Sequence, residues 1–357
     1  MSTPNLAAIR EAHSLIQTKI LKTPVHYAPS LSRIAAESAF RGRDNDIEGV
    51  SSTINIFLKC ENLQKTGSFK FRGVSHFLAK LNDRALRKGL LTYSTGNHAI
   101  ALAQAAISAS MEKGFAIPLT ILMPCAASSG KMDKIRKMGV NVTLHGSTIP
   151  ECAARAEELQ QETGMTLVPP SGHPHIVLGQ ASVMLEFQQQ IAELGQGPLD
   201  AVIMPSAGGA LLAGVAMVCK DSVHPIDVFG AEPLDGGAAL SRGRQEGRRV
   251  TTLRPEGLTI AEGLCSPVAS SNWETVRNDS YVRDVFPASD DEIRAAMRLT
   301  IEDTKMMLEP SAAVPLAVIL FNTCFQRYMS SRGGPLNIGV ILSGGNISVE
   351  RLFEVLG

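Results

Sequence analysis

Lys59-Cys60-Glu61-Asn62-Leu63-Gln64-Lys65-Thr66-Gly67-Ser68-Phe69-Lys70-Phe71-Arg72-Gly73 follows an apolar run, Ile54 to Leu58. The run reads as a strand, Thr66-Gly67-Ser68 as a polar turn, and a helix begins around Ser68. That helix carries a lysine, Lys70, in its first turn. Cations are disfavoured there, because the macrodipole is positive at a helix N-terminus, so a neutral or covalently consumed amine gains. A lysine that forms an imine behaves in this way. A solvated lysine on a capped helix satisfies the same local pattern, so both readings stand on local physics.

Outward from this stretch, the chain of 357 residues suits one large or two moderate domains. Hydrophobic content of 44% and charged content of 19% describe an ordinary globular protein. Lys plus Arg and Asp plus Glu are both 34, so no overall electrostatic footprint points to nucleic acid or an anionic membrane. Six scattered cysteines, without CxxC pairs, read as buried thiols in a reducing compartment. The N-terminus shows no apolar signal core and no run approaches transmembrane length, which makes the cytosol the simplest address.

Apolar runs alternate with helical patterns. A helix is expected from about Asn5 to Leu21, and a polar, exposed loop over 38–52. Strands are expected at 89–95, 119–123 and 140–144, with helices at 99–110, 129–138 and 151–163. A second set follows: helices at 179–194, 211–219, 290–304 and 312–325, and strands at 201–205, 228–232 and 338–342. Such alternation predicts an α/β protein of two doubly wound open-sheet domains with the site between them.

Three turns carry candidate chemistry. Ser206-Ala207-Gly208-Gly209-Ala210, ahead of Leu211, has small residues that let backbone N–H groups converge on a phosphate; tight helix packing explains them equally. Ser94-Thr95-Gly96-Asn97-His98 opens a helix whose free N–H groups suit a carboxylate, and the same residues serve as a cap. Ser343-Gly344-Gly345-Asn346 ends an apolar strand, as any strand-ending turn does.

Together, Lys59 to Asn62, Thr66-Gly67 and Ser68 to Gly73 closely resemble the lysine motif of the fold-type II pyridoxal phosphate enzymes. Within them the chain looks most like the serine/threonine dehydratase and serine racemase branch, from about Thr23-Pro24 to Asn346. The resemblance implies a tryptophan synthase beta-like architecture, with 1–88 and 167–357 as the large cofactor-binding domain and 89–166 as a small substrate-capping domain. It implies Lys70 as the imine-forming residue beside Phe69. The phosphate loop falls at Ser206 to Leu211, the pyridine nitrogen partner at Ser343 with Gly344, and the substrate loop at Ser94 to His98. By the same resemblance Asn97 also approaches the cofactor's ring oxygen. Glu309, in Glu309-Pro310-Ser311-Ala312, either borders the site or caps the following helix.

Departures from the family pattern bear on function. Thr95 stands where serine racemases place a proton-exchanging serine and many threonine dehydratases an alanine. Threonine keeps the hydroxyl and adds a methyl group and a stiffer χ1. Ala207 and Ala210 replace two glycines of the usual four, so Gly208 and Gly209 are expected to hold any unusual backbone angles. Ile100 replaces a common glutamine. Glu232-Pro233 opens a loop resembling a divalent-cation site, but Ala238 stands where an aspartate is expected, which weakens a Mg2+ or Ca2+ assignment to Glu232 and backbone carbonyls near Gly236. The resemblance further implies a homodimer acting on a small amino acid: dehydration to a 2-oxo acid and ammonia, racemisation, or a specialised β-elimination or β-replacement. A cofactor-binding protein without turnover is the remaining alternative.

Overall fold

The computed structural model describes residues 5–41, 53–125, 127, 129–253, 259–332 and 335–357. Two sheets organise it. The larger has the order β1 (Val25–Tyr27), β2 (Ile54–Lys59), β10 (Leu336–Ile341), β7 (Ala201–Pro205), β8 (Asp227–Pro233) and β9 (Asp284–Ala288). All neighbours are parallel except the short edge strand β1, which runs antiparallel to β2. The smaller sheet is fully parallel, in the order β5 (Asn141–Leu144), β4 (Leu119–Met123), β3 (Leu90–Tyr93), β6 (Thr166–Leu167).

β7 and β10 are buried along their whole length and, apart from Asn337, read as runs without polar side chains, as strands covered on both faces do. On one face of the large sheet lies the helix Pro310–Phe321, buried on every side from Pro310 to Leu320. On the other lie Pro174–Leu194 and Ala210–Lys220, which pack on one another. Burying a leucine such as Leu212 or Leu316 removes it wholly from water, which stabilises by roughly 1.5–3 kcal/mol each. The helix Asn97–Lys113, entered from the small sheet, presents Ala99, Ala101, Ala103 and Ala106, and this small-residue face packs against the helix Lys70–Ala79 of the large one.

The strands and helices expected from periodicity are found, within a few residues at their ends. Three expectations are corrected. The helix expected over 312–325 is two, Pro310–Phe321 and Thr323–Ser330, because the Asn322 side chain accepts the Cys324 and Phe325 N–H groups and starts a new helix. Residues 38–40 of the expected polar loop close the helix Pro29–Phe40; its remainder from 42 lies outside the described residues. The thiols of Cys60, Cys152 and Cys219 are buried, whereas Cys125 and Cys324 are exposed.

Candidate active site

In an open parallel sheet, loops at the carboxyl ends of adjacent strands meet in a crevice. Here β2, β10 and β7 are neighbours, and they lead into Glu61–Phe69, Ser343–Asn346 and Ser206–Gly209. The first two loops are stapled together: Phe69 N–H donates to the Ser343 carbonyl at 3.1 Å and Gly345 N–H to the Gly67 carbonyl at 2.9 Å, with a bridge between Ser68 and Gly344.

Lys70 is the first residue of its helix, two residues later than the start expected near Ser68. Its Nζ donates to the Pro170 carbonyl at 2.9 Å and lies 5.2 Å from the centre of the Phe69 ring. Burial pushes its pKa down to about 8, and the negative charge of Glu309 pulls the other way. With its pKa near 8 and one neutral acceptor, about a tenth of the amine is neutral and nucleophilic at pH 7, far more than of an ordinary lysine.

Directly behind it lies a saturated ion cluster. Arg72, wholly buried, donates to both oxygens of Glu61 at 2.7 and 2.8 Å and to both oxygens of Glu186 at 2.9 and 2.7 Å. Lys59, also wholly buried, donates to Glu186 at 3.0 Å, to Gln190 at 2.7 Å and to the Thr23 carbonyl at 2.7 Å. Two cations thus meet two carboxylates with bidentate geometry. The cluster joins β2, the Lys70 helix and the helix Pro174–Leu194, and it was not singled out by sequence motifs.

The 206–210 loop carries one unusual angle where a pair was expected: Gly209 has φ +82, and Gly208 does not depart from ordinary values. Gly208 is constrained by space instead, since an added Cβ would sit 2.2 Å from the Ser171 hydroxyl. Ala207 and Ala210 are accommodated without positive φ. The Ser206 hydroxyl is buried and, among the described residues, without a hydrogen-bond partner; the Ser68 hydroxyl is in the same state. An unsatisfied buried hydroxyl at Ser206, in the loop that opens the helix Ala210–Lys220, suits an anion with several oxygens. The residues present therefore fit pyridoxal phosphate: an amine at Lys70 for its aldehyde, a small-residue loop at Ser206–Ala210 for its phosphate, and the Ser343 turn on the strand between the two.

Ser94, Thr95, Gly96 and Asn97 are partly buried where β3 ends and the helix Asn97–Lys113 starts. Gly96 N–H donates to the Ser94 hydroxyl at 3.2 Å. His98 is buried, with Nε2 3.0 Å from the Val168 carbonyl, and burial pushes its pKa to about 3, helped by the positive Lys70. It is a neutral imidazole, protonated on Nε2, and holds the helix rather than exchanging protons. Asn97 joins the two halves of the cleft: its amide nitrogen donates to Glu309 at 2.8 Å and its oxygen accepts from Asn346 at 2.8 Å. Glu309 is the N-cap of Pro310–Phe321 but makes no side-chain capping bond, so of its two expected roles it borders the site.

Glu232 is elsewhere. Its carboxylate, at the end of β8, accepts the Leu240 and Ser241 N–H groups, both at 2.9 Å, and so closes the N-terminus of the helix Ala239–Glu246. Burial raises its pKa, against these hydrogen bonds. Ala238, where a second carboxylate was expected, adopts φ +53. Both Glu232 oxygens accept backbone donors, Ala238 supplies no second carboxylate, and among the described residues no cluster of three His, Cys, Asp or Glu suited to a metal occurs. A separate cavity of about 440 Å³, lined in part by Phe77, Lys80, Leu81, His173 and His175, lies along the later turns of the Lys70 helix and contains none of the groups above.

Comparison with known proteins agrees with this geometry. The family model described as "Pyridoxal-phosphate dependent enzyme" matches residues 16–344. The chain is 34% identical to a serine racemase of Arabidopsis thaliana, over 98% of this chain and 95% of that one. It is 32% identical to a beta-hydroxyaspartate dehydratase of Paracoccus denitrificans, over 99% of both. Among solved structures, maize serine racemase superposes with a TM-score of 0.83 at 30% identity, covering 99% of this chain and 97% of that one. By the match of the family model and the extent of these alignments, the chain belongs to the pyridoxal-phosphate dependent enzymes of fold-type II.

Proposed function

We propose that the protein is an ammonia-lyase that dehydrates a small β-hydroxy amino acid to a 2-oxo acid and ammonia, with racemisation as its second outcome. The observation that carries this is Lys70: an amine with a pKa brought down to about 8, at the convergence of three strand-end loops. The relatives named above, a racemase and a dehydratase, support the same reaction class.

When bound, pyridoxal phosphate supplies an electron sink that acidifies the α-C–H of an attached amino acid. Lys70 would hold it, and the Lys70 amine in its neutral form would accept the α-proton on its own face. The 206–210 loop and the Ser206 hydroxyl hold the phosphate. Ser343, a neutral hydroxyl, keeps the pyridine nitrogen from full protonation, which moderates the sink and suits elimination or α-proton exchange. The N-terminal N–H groups of Asn97–Lys113 take the substrate carboxylate, beside Ser94 and Thr95.

Racemisation is favoured by one observation, the Thr95 hydroxyl, which offers a second proton donor that an alanine would lack. The 89–166 segment is read as the part that closes over the substrate. A homodimer in the cytosol is the state the family resemblance implies, and the cysteines are all free. No described helix is long and apolar enough to cross a membrane.

The test is direct. Purified holoenzyme is given L-serine, D-serine, L-threonine and hydroxyaspartate, and 2-oxo acid and enantiomer are assayed on the same samples. Oxo acid release lost in Lys70→Ala supports the lyase. Inversion without release, lost in Thr95→Ala, would make the racemase primary; no turnover of any of the four would overturn the proposal.

A further inference from the structure

Two amides and a carboxylate form a relay across the cleft. Thr66, a non-glycine residue at φ +67, turns its carbonyl toward Asn346, whose Nδ2 donates to it at 2.7 Å. The same Nδ2 donates to Asn97 Oδ1 at 2.8 Å, and Asn97 Nδ2 donates to Glu309 Oε1 at 2.8 Å. Space for this is made by glycine: an added Cβ at Gly67, itself at φ +73, would lie 2.8 Å from Asn346 Oδ1, and one at Gly344 would lie 2.6 Å from Glu309 Oε1.

The two ends of the relay decide its polarity. A backbone carbonyl only accepts, so Asn346 must present its nitrogen to Thr66. That nitrogen then meets Asn97, which must answer with oxygen. Asn97 is left with its nitrogen toward Glu309, a carboxylate that also only accepts. The reverse orientation of Asn97 would set two nitrogen donors against each other at Asn346 and two oxygens against each other at Glu309, and an amide carbonyl against a carboxylate is repulsive.

We propose that Asn346 is a positioning residue for the active site: with Glu309 it fixes the Asn97 amide so that its nitrogen faces Glu309 and its oxygen faces the turn after β10. An Asn amide has two N–H groups, and only one is used by Glu309. The other is a donor of fixed direction for an acceptor on the bound cofactor. The relay also ties the first residue of the helix Asn97–Lys113 to the loop that carries Lys70 and to the turn after β10. Orientation of the cofactor's acceptor and registration of the substrate helix thus depend on one side chain that touches neither reacting atom. The inference rests on the family's cofactor and not on any particular substrate, so its failure would leave the proposed lyase activity standing.

The test is a double-mutant cycle on the holoenzyme, Asn346→Ala and Asn97→Ala, read by the ratio of the two absorption bands of the bound cofactor and by kcat/KM on whichever substrate is turned over. Asn346→Ala alone should change the band ratio and lower kcat/KM about tenfold. Added to Asn97→Ala it should change neither by more than about twofold. Equal effects in both backgrounds, or an unchanged spectrum with only a lowered melting temperature, would overturn the proposal. Asn346→Asp preserves size, reverses the hydrogen-bond polarity, and should shift the spectrum in the same sense. Should no Asn346 variant fold, Glu309→Gln and Glu309→Ala decide: glutamine can still accept from Asn97 and must preserve the band ratio, and an equal change in both sinks the relay.

Discussion

Two lysines on one stretch of chain meet opposite treatment. Lys59 is wholly buried and given three acceptors, one of them a carboxylate already held by Arg72. Lys70, on the first turn of the next helix, is given one backbone carbonyl. The saturated cation is structural, since a buried charge with every donor satisfied has little left to react with. The undersatisfied one is poised, because its surroundings favour loss of a proton or capture by a carbonyl compound. The same type of side chain becomes framework or chemistry according to how many partners the fold supplies.

The largest effect separates the two roles. Lys70→Met should abolish cofactor attachment and turnover, seen as loss of the visible absorption of the purified protein, while the cofactor-free protein becomes more stable. The sign follows from the depressed pKa: the charged amine is less favourable in the fold than in the unfolded chain. That penalty is fully present below about pH 8 and fades as pH rises toward the ordinary 10.5. Because the side chain remains partly accessible, the gain expected at neutral pH is about 1–2 kcal/mol in a urea titration. A destabilised but active Lys70→Met would break the comparison.

Arg72→Met tests the other side. It leaves Glu61 and Glu186 facing each other across a buried space with only Lys59 to compensate, and breaking a buried pair in this way costs about 3–5 kcal/mol. The loss should appear in the unfolding midpoint; protein that remains folded should keep its cofactor band. Acid should act similarly on the unmodified protein. Burial alone would raise the pKa of Glu186, but the hydrogen bonds and charge of Arg72 and then Lys59 bring it below 4.5. A carboxylate depressed in the fold contributes stability that is present above about pH 4.5 and lost as pH falls through its folded value. Arg72→Met should therefore flatten the acid limb of the stability curve.

How much of this was legible follows the range of the interactions. β7 announces itself as an apolar run ending in a glycine turn, and β2 and β10 as mainly apolar runs leading into polar, glycine-containing loops, so the three loops at these strand ends were readable. β1 is three residues long and β6 two, too short to show a period, and both are fixed by neighbours remote in sequence. Asn322 breaks an apolar helix pattern by a side-chain cap, which periodicity passes over. The ion cluster draws on residues 23, 59, 61, 72, 186 and 190, and the relay on 66, 97, 309 and 346; each member is an ordinary polar residue until the fold brings it to the others. The helix-closing role of Glu232 was hidden for the same reason, since its partners are backbone groups of the helix it caps.

The smallest effect sharpens the comparison most. Glu309 is the anion that opposes the drop in the Lys70 pKa, and it does so without the direct contacts that Glu186 makes with Lys59. If the neutral amine is the form that takes up the cofactor, the rate of reconstitution of the cofactor-free protein should climb about tenfold per pH unit below about pH 8 and level above it. An ordinary lysine would keep the rate climbing toward 10.5. Glu309→Gln removes the charge but keeps an acceptor for Asn97, so the bend in that profile should move to lower pH, by less than about one unit, or about 1.4 kcal/mol. A bend that moves upward would mean that Glu309 does not act on Lys70 as a charge. A bend that stays put would mean that solvent in the cleft screens the two, and that the low pKa of Lys70 is a matter of burial alone.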